Sequence, residues 1–457
     1  MRGMPDARED SAPRATLVRT LNLRDLIFLV VGSVIGSGIF LVPGPILRDV
    51  GGSVLLSLCV WIGGGVLSLL GALTYGELAA RDPSSGGLYV YVREAFGSLP
   101  AFLYGWALFL AVASGSNATL SVAFSKYLGE IVALTPLEGK IVAVVMIAAV
   151  TWVNVIGTRK SADLQNWTTF VKIAAILTMS VALFTLGHGD SATAVIASAA
   201  PQPNGSLAAG FGLAMIAVLW AYEGWAFATY TAGETLEPQR NFPRGLAIGA
   251  LALIAIYTLA DVAYLHALGP ARAAQTDTIA AVAVAAVLGS KAGKLVALMI
   301  LVSVFSAANS TVLTAPRVFH AMAEDGVFFR TLARVHPRYR TPAAAIVAIG
   351  VWSAVLAVTG TFEQLFTYVI FVGWTFYGLA AMSIFVFRRR EGPPANTFRV
   401  PGYPITPLLF VLAAAALVGN TLMATPWKQS LFGVGIVLLG VPVYFFYRWR
   451  KMRAKRG

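Results

Sequence analysis

Cysteine is almost missing from this 457-residue chain, which has only Cys59. That excludes an internal disulfide and a thiolate metal site. Charge is scarce too. Asp, Glu, Lys and Arg make up 12% of the residues, against about 25% in soluble domains. The four histidines (His188, His266, His320 and His336) are scattered over loops and helix ends without ligand spacing, so no metal is expected. No GxSG, HExxH or phosphate-binding loop occurs, which leaves little for an enzyme and calls for no cofactor. The first twenty residues are polar and charged, so no signal peptide is expected.

What remains is apolar: 57% of the residues are hydrophobic and the mean hydropathy is +0.74. Stretches near 20 residues, each long enough to cross about 30 Å of hydrocarbon, recur along the whole length. They predict twelve spans, near 24–48, 53–79, 101–128, 138–157, 162–187, 207–235, 244–269, 294–322, 342–359, 364–387, 404–424 and 430–447. The net charge of +13 is no sign of nucleic acid, because the cations sit in alternate loops. One set holds the N-terminus, Arg81, Arg93, Arg159, Lys160, Arg240, Arg244, the run from Arg330 to Arg340, Arg388 to Arg390, Arg399 and the tail from Arg448. The other holds only Arg48, Lys126, Lys140, Arg272, Lys291, Lys294 and Lys428. By the positive-inside rule both termini are expected in the cytoplasm. The basic tail suits either anionic lipid or retention of topology. The connection between spans 2 and 3 predicts a short amphipathic helix near the cytoplasmic surface. The Ala-rich segment from Pro270 to Lys291 predicts a cover over the extracellular mouth.

Two interruptions organise the chain. Span 1 contains GSVIGSGIF, residues 32–40, with Gly36, Ser37 and Gly38 adjacent at its centre. Interior glycine costs a helix about 1 kcal/mol relative to alanine, and broken backbone at membrane depth is tolerated where it lines a cavity or faces protein. Close packing through small residues is the alternative. Span 6 carries Trp220, Ala221, Tyr222, Glu223, Gly224 and Trp225 at its middle, with an acid at costly depth. Two broken helices five spans apart point to inverted five-helix repeats with a binding site between them. Half-helix N-termini offer N–H groups to an anion, and carbonyls freed before each break accept from an ammonium. A carboxylate and an ammonium a few ångströms apart describe an α-amino acid.

These stretches, with LWAYEGW at 219–225, GETLEPQRNFPR at 233–244, NSTVLTAPRVFHAMAEDG at 309–326 and Lys172, resemble the amino acid–polyamine–organocation superfamily, within it the L-type amino acid transporter branch and its bacterial exchangers. The resemblance spans nearly the whole chain. It implies an all-α polytopic membrane protein, LeuT-like, with repeats at 24–187 and 207–387 between an N-terminal segment (1–23), two further spans (404–447) and a basic tail (448–457). It implies that Ser37 and Gly38, beside Gly36, hold a substrate carboxylate, and that the carbonyls of Val34, Ile35, Trp220, Ala221 and Glu223 take its ammonium. Trp220 matches the aromatic outer gate, and Ala307 borders the substrate. Ala226 departs from the asparagine of the animal branch. Lys172 takes the place of a sodium ion, reaching Gly32 and a hydroxyl of Ser310 or Thr311; in some relatives it is read instead as a proton carrier.

Glu223 reads as a proton site, an ammonium partner or a structural carboxylate. Asp261 is a further possible proton site, and Glu77 is expected to pair with a cation at an inner gate. The GxGD match at 187–190 lacks a Tyr-Asp partner and is read as chance. The function expected is sodium-independent alternating-access transport of small neutral amino acids such as alanine, serine or threonine, by obligatory exchange in the bacterial inner membrane. A proton-coupled symporter is the first alternative, and a channel or receptor a remote one. Membrane lipid is an expected partner. The 129–137 loop has no cysteine, so no disulfide-linked heavy chain is expected.

Overall fold

The computed structural model describes residues 19–84, 86–129, 131–187, 207–339, 341–394, 397–424 and 427–454. Most of the N-terminal segment, the GxGD residues after Gly187 and the last three residues of the basic tail lie outside the described residues. Every named element among the described residues is helical. Ten helices are long and apolar enough to cross a membrane. The expected ninth span is a shorter helix of 17 residues, Ala343–Thr359. The expected twelfth, Trp427–Ala454, lies outside that set of ten.

Polar residues set the starts of several spans. Asn22 and Asp25 form a reciprocal capping box at the start of span 1, with N···O distances of 3.0 and 3.1 Å. Thr135 with Glu138 and Thr361 with Gln364 do the same for spans 4 and 10. Each box satisfies two N–H groups that a helix start leaves without a partner. Large apolar side chains such as Leu55, Trp152 and Val351 are exposed on the outside of the bundle, as a lipid-facing surface requires.

Span 2 (Val54–Arg81) packs most extensively along span 7 (Pro238–Leu268), and span 1 and both halves of span 6 join them. Spans 3, 4, 8 and 9 pack on one another as a second group, and span 5 lies against spans 1, 7 and 8. Buried polar side chains join spans 4 and 5 to span 8: Asn154 donates to Asn309 at 2.8 Å, and Ser161 donates to Asn309 at 3.0 Å. Interhelical bonds of this kind hold membrane helices that gain little from burying apolar surface.

The 2–3 connection is a short amphipathic helix, Leu88–Phe96, with Glu94 exposed on one face. Leu88 to Val92 are all buried, and Gly86 and Gly87 turn the chain beneath the second half of span 6. The segment after Pro270 folds into two short helices, Pro270–Ala274 and Ile279–Leu288. Its turn covers the far end of span 1, where Arg48 donates to the Ala274 carbonyl at 2.6 Å and meets Asp277 at 2.9 Å. Glu77 forms a two-bond pair with Arg388 of span 10, both contacts 2.7 Å, and accepts from the Val400 N–H at 2.6 Å.

Candidate functional site

Span 1 is helical over Leu23–Val34, breaks at residues 35–37, and resumes at Gly38–Leu41. Span 6 is helical over Leu207–Ala221, turns at Gly224 with φ +118°, and continues as a 3-10 helix over Trp225–Glu234. The glycines explain why the two breaks meet. A Cβ on Gly38 would lie 2.4 Å from the Ala221 Cα, and one on Gly32 would lie 2.1 Å from Thr169 Oγ1. A Cβ on Gly36 would meet Leu120 at 3.0 Å and Ala307 at 3.2 Å. Breaking and close packing, opposed as alternatives on sequence, are both present: Gly36 sits in the break, and Gly32 and Gly38 sit at contacts.

A cavity lies between the breaks. Of the residues singled out from sequence, Val34, Gly36, Ser37, Gly38, Trp220, Glu223 and Thr311 line it. Ile35, Ala221 and Ala307 are buried next to it without lining it. Ser33, Ser116, Leu120, Gly224 and Phe227 complete the wall. The hydroxyls of Ser37 and Ser116 are buried without a hydrogen-bond partner, and Ser37 does not cap the helix it precedes. Unsatisfied donors of this kind cost about 1–3 kcal/mol each unless a bound group meets them.

On one side the Trp220 ring packs against Phe362 and Phe366 at the start of span 10, with ring centroids 6.3 and 6.1 Å apart. On the other, Glu223 accepts from the Tyr377 hydroxyl at 2.5 Å, and the Tyr377 carbonyl accepts from Tyr75 at 2.8 Å. Tyr104 and Tyr230 are hydrogen-bonded beside them. Beyond that layer, Arg317 and Glu234 form a buried ion pair at 2.9 Å. The Glu234 carbonyl also accepts from the N–H groups of Thr20 and Leu21, at 2.8 and 3.0 Å.

Lys172 is 3% exposed. Its ammonium donates to the Gly32 carbonyl at 2.8 Å, the Ile35 carbonyl at 2.7 Å and, more weakly, the Ser303 carbonyl at 3.5 Å. Gly32 is thus a partner, as expected; Ser310 and Thr311 are not. Ser310 is bonded to Ser33 at 2.6 Å, and Thr311 donates to the Ala307 carbonyl at 3.3 Å. Two turns nearer the start of span 8, Ser303 supplies the contact, and its hydroxyl also reaches the Ile35 carbonyl at 3.3 Å. The Ile35 carbonyl, assigned from sequence to a substrate ammonium, is therefore already engaged by two donors. Asp261 is buried in span 7, with Oδ2 lacking a hydrogen-bond partner.

Sequence reasoning missed Tyr257, one turn before Asp261. Its single hydroxyl proton is shared between the Val34 carbonyl at 2.9 Å and the Ala221 carbonyl at 3.1 Å, bridging the two breaks. Nothing local marks a tyrosine in an apolar helix as such a bridge. Ser116 did carry a signal: the run Ser114, Gly115, Ser116, Asn117 is unusually polar for the middle of a span.

Comparison with known proteins bears on this arrangement. The family model described as amino acid permease matches residues 21–442. The serine/threonine exchanger SteT of Bacillus subtilis (strain 168) is 32% identical over 440 residues, covering 95% of this chain and 98% of that protein. The human b(0,+)-type amino acid transporter 1 is 30% identical over 97% of this chain and 92% of its own length. The human cystine/glutamate transporter is 29% identical over 96% and 87%.

Proposed function

The chain belongs to the amino acid permease family and is a multi-pass membrane transporter rather than an enzyme, and on that premise we propose that it is a sodium-independent exchanger of small neutral L-amino acids. The observation that carries the reading is the pair of broken helices meeting at one cavity, with Lys172 fixed to the carbonyls of span 1. The N-termini of the resumed helices and the free Ser37 hydroxyl suit a carboxylate. The second lone pair of the Val34 carbonyl, at the cavity wall, suits an ammonium. A protein cation held by the Gly32, Ile35 and Ser303 carbonyls supplies the charge that a sodium ion would otherwise bring. The two five-helix repeats and the movement of spans 1, 2, 6 and 7 against the rest are part of the same proposal. So are a bacterial inner-membrane location and cytoplasmic termini.

A neutral side chain is favoured because the lining residues include no Lys or Arg, and the one acid, Glu223, is engaged by Tyr377. Leu120, Trp220 and Phe227 keep the space small. The serine/threonine exchanger among the relatives supports serine and threonine as substrates. With no cysteine in the 129–137 loop, the transporter is proposed to act without a disulfide-linked subunit. Proton-coupled symport is the second reading, favoured by the unpartnered carboxylate oxygen of Asp261 inside the bundle.

Uptake of radiolabelled serine, alanine and leucine into sodium-free proteoliposomes separates them. Exchange requires unlabelled amino acid inside and ignores an inward proton gradient. Uptake into empty vesicles that follows the gradient would refute exchange and make Lys172, Glu223 and Asp261 the first residues to neutralise.

A further inference from the structure

Away from the transport cavity, a second and larger one opens where span 8 ends. Glu324, Asp325, Phe328, Phe329, Arg330, Thr331, Tyr447 and Arg450 are among the residues that line it, so it lies between the 8–9 connection and the end of span 12. Of its two acids, Asp325 is held by an arginine and a tyrosine, and Glu324 is exposed. Asp325 accepts from Arg93 at 2.5 Å and from the Tyr89 hydroxyl at 2.7 Å, while Glu324 faces His320 at 3.5 Å. Arg330 and Arg450 are both exposed and enter none of the ion pairs found among the described residues. Phe329 meets Tyr447 edge to face, with ring centroids 5.7 Å apart.

The exposed aromatic side chains on the same segments suit a cavity at the membrane boundary. Phe329, Phe445, Phe446 and Trp449 are each about half exposed, and aromatic side chains gather where headgroups meet acyl chains. Two guanidiniums at that depth, beside exposed rings, meet the two halves of one molecule: an anionic headgroup and the start of its tails. We propose that this cavity binds one anionic phospholipid, its phosphate between Arg330 and Arg450 and its acyl chains against Phe329 and Tyr447. The lipid would join span 12 to the 8–9 connection. Arginine suits the role because its planar fork binds phosphate through two bonds.

Basic side chains near an anionic leaflet contribute about 1 kcal/mol each, which corresponds to about 5-fold in affinity. Titration of the purified full-length protein with phosphatidylglycerol or phosphatidylcholine, read by native mass spectrometry, tests the proposal. Wild-type protein is expected to hold one phosphatidylglycerol at least about 10-fold more tightly than phosphatidylcholine. The double variant Arg330→Gln/Arg450→Gln should lose that preference, Arg330→Lys/Arg450→Lys should keep most of it, and Arg448→Gln/Arg453→Gln, on the same tail, should leave it unchanged. Equal loss in the last variant would overturn the site in favour of diffuse attraction by the tail. Displacement by millimolar inorganic phosphate would overturn it in favour of a free-anion site. The assay does not depend on transport or on which leaflet the site faces, so its failure would leave the exchanger reading standing.

Discussion

Replacing Lys172 with methionine removes an ammonium that ties span 5 to spans 1 and 8. Two of its three bonds are short, 2.8 and 2.7 Å, and the third is 3.5 Å. A hydrogen bond from a charged donor contributes about 1.5–3 kcal/mol, so the two short ones together supply roughly 3–6 kcal/mol. Against this, the lysine holds a charge out of water, which costs several kcal/mol. The two effects nearly offset each other in the stability of the fold, and the variant should remain folded. They do not cancel in the transport cycle. In the proposed cycle span 1 changes its relation to spans 5 and 8 between inward and outward states. If about half of the bonding belongs to one state only, roughly 1.5–3 kcal/mol falls on the cycle, a ~10- to 100-fold slower exchange rate at 1.36 kcal/mol per decade. Counterflow of labelled serine into proteoliposomes measures it, with monodispersity by size exclusion as the control for folding. A rate within about threefold of wild type would refute the reasoning, because it would show that the tether is indifferent to state.

Gly38→Ala should be worse tolerated than Gly36→Ala, because the added methyl meets Ala221 backbone at 2.4 Å in one case and the end of a leucine at 3.0 Å in the other. Overpacking of the first kind costs about 1–3 kcal/mol, and thermal melts of the two variants side by side would expose an error in the ranking. Tyr257→Phe leaves the Val34 and Ala221 carbonyls without their shared donor; at about 1–3 kcal/mol, substrate affinity should fall ~5- to 100-fold with expression unchanged. Equal affinity would remove the bridge from the mechanism. Trp220→Ala loses contacts with Phe362 and Phe366, each such pair contributing about 0.5–1.5 kcal/mol, so retention of bound substrate should shorten roughly tenfold. Unchanged retention would exclude Trp220 as the gate.

The breaks were legible because they violate a strong local rule: an apolar helix has no reason to contain Gly36-Ser37-Gly38 or Glu223-Gly224 at its centre. Lys172 was legible for the same reason, since a cation ten residues inside a span demands a partner. Its partners were harder to read. The choice between Ser303 and Ser310 is a matter of two helical turns and the crossing angle of spans 5 and 8, which hydropathy does not encode. Tyr257 was invisible because tyrosine is ordinary in membrane helices and its role comes from where span 7 lies against two others. The helix at Leu88–Phe96 was legible as amphipathic, but what its apolar face packs against was not. Its pattern predicts an amphipathic helix near the cytoplasmic surface, and Gly86 and Gly87 let its apolar face tuck under span 6, where Gly86 donates to the Tyr230 carbonyl at 3.4 Å.

The state of the cavity between turnovers bears directly on exchange. Among the described residues the Ser37 and Ser116 hydroxyls have no partner, and the N–H groups of Gly36, Ser37 and Gly38 donate to no backbone carbonyl. A zwitterion bound here would satisfy several of these groups at once. A carrier that reoriented empty would pass through its occluded state with them unmet. At about 1–3 kcal/mol for each buried unsatisfied group, two such groups slow empty return by roughly 30-fold to more than 10⁴-fold. Water entering the cavity would reduce that penalty, but only where the occluded state leaves room for it. The loaded carrier meets no such barrier in either direction. A transporter with these properties moves substrate inward chiefly when another amino acid is ready to carry it back, which is exchange. The argument requires no coupling ion and holds with Lys172 permanently in place.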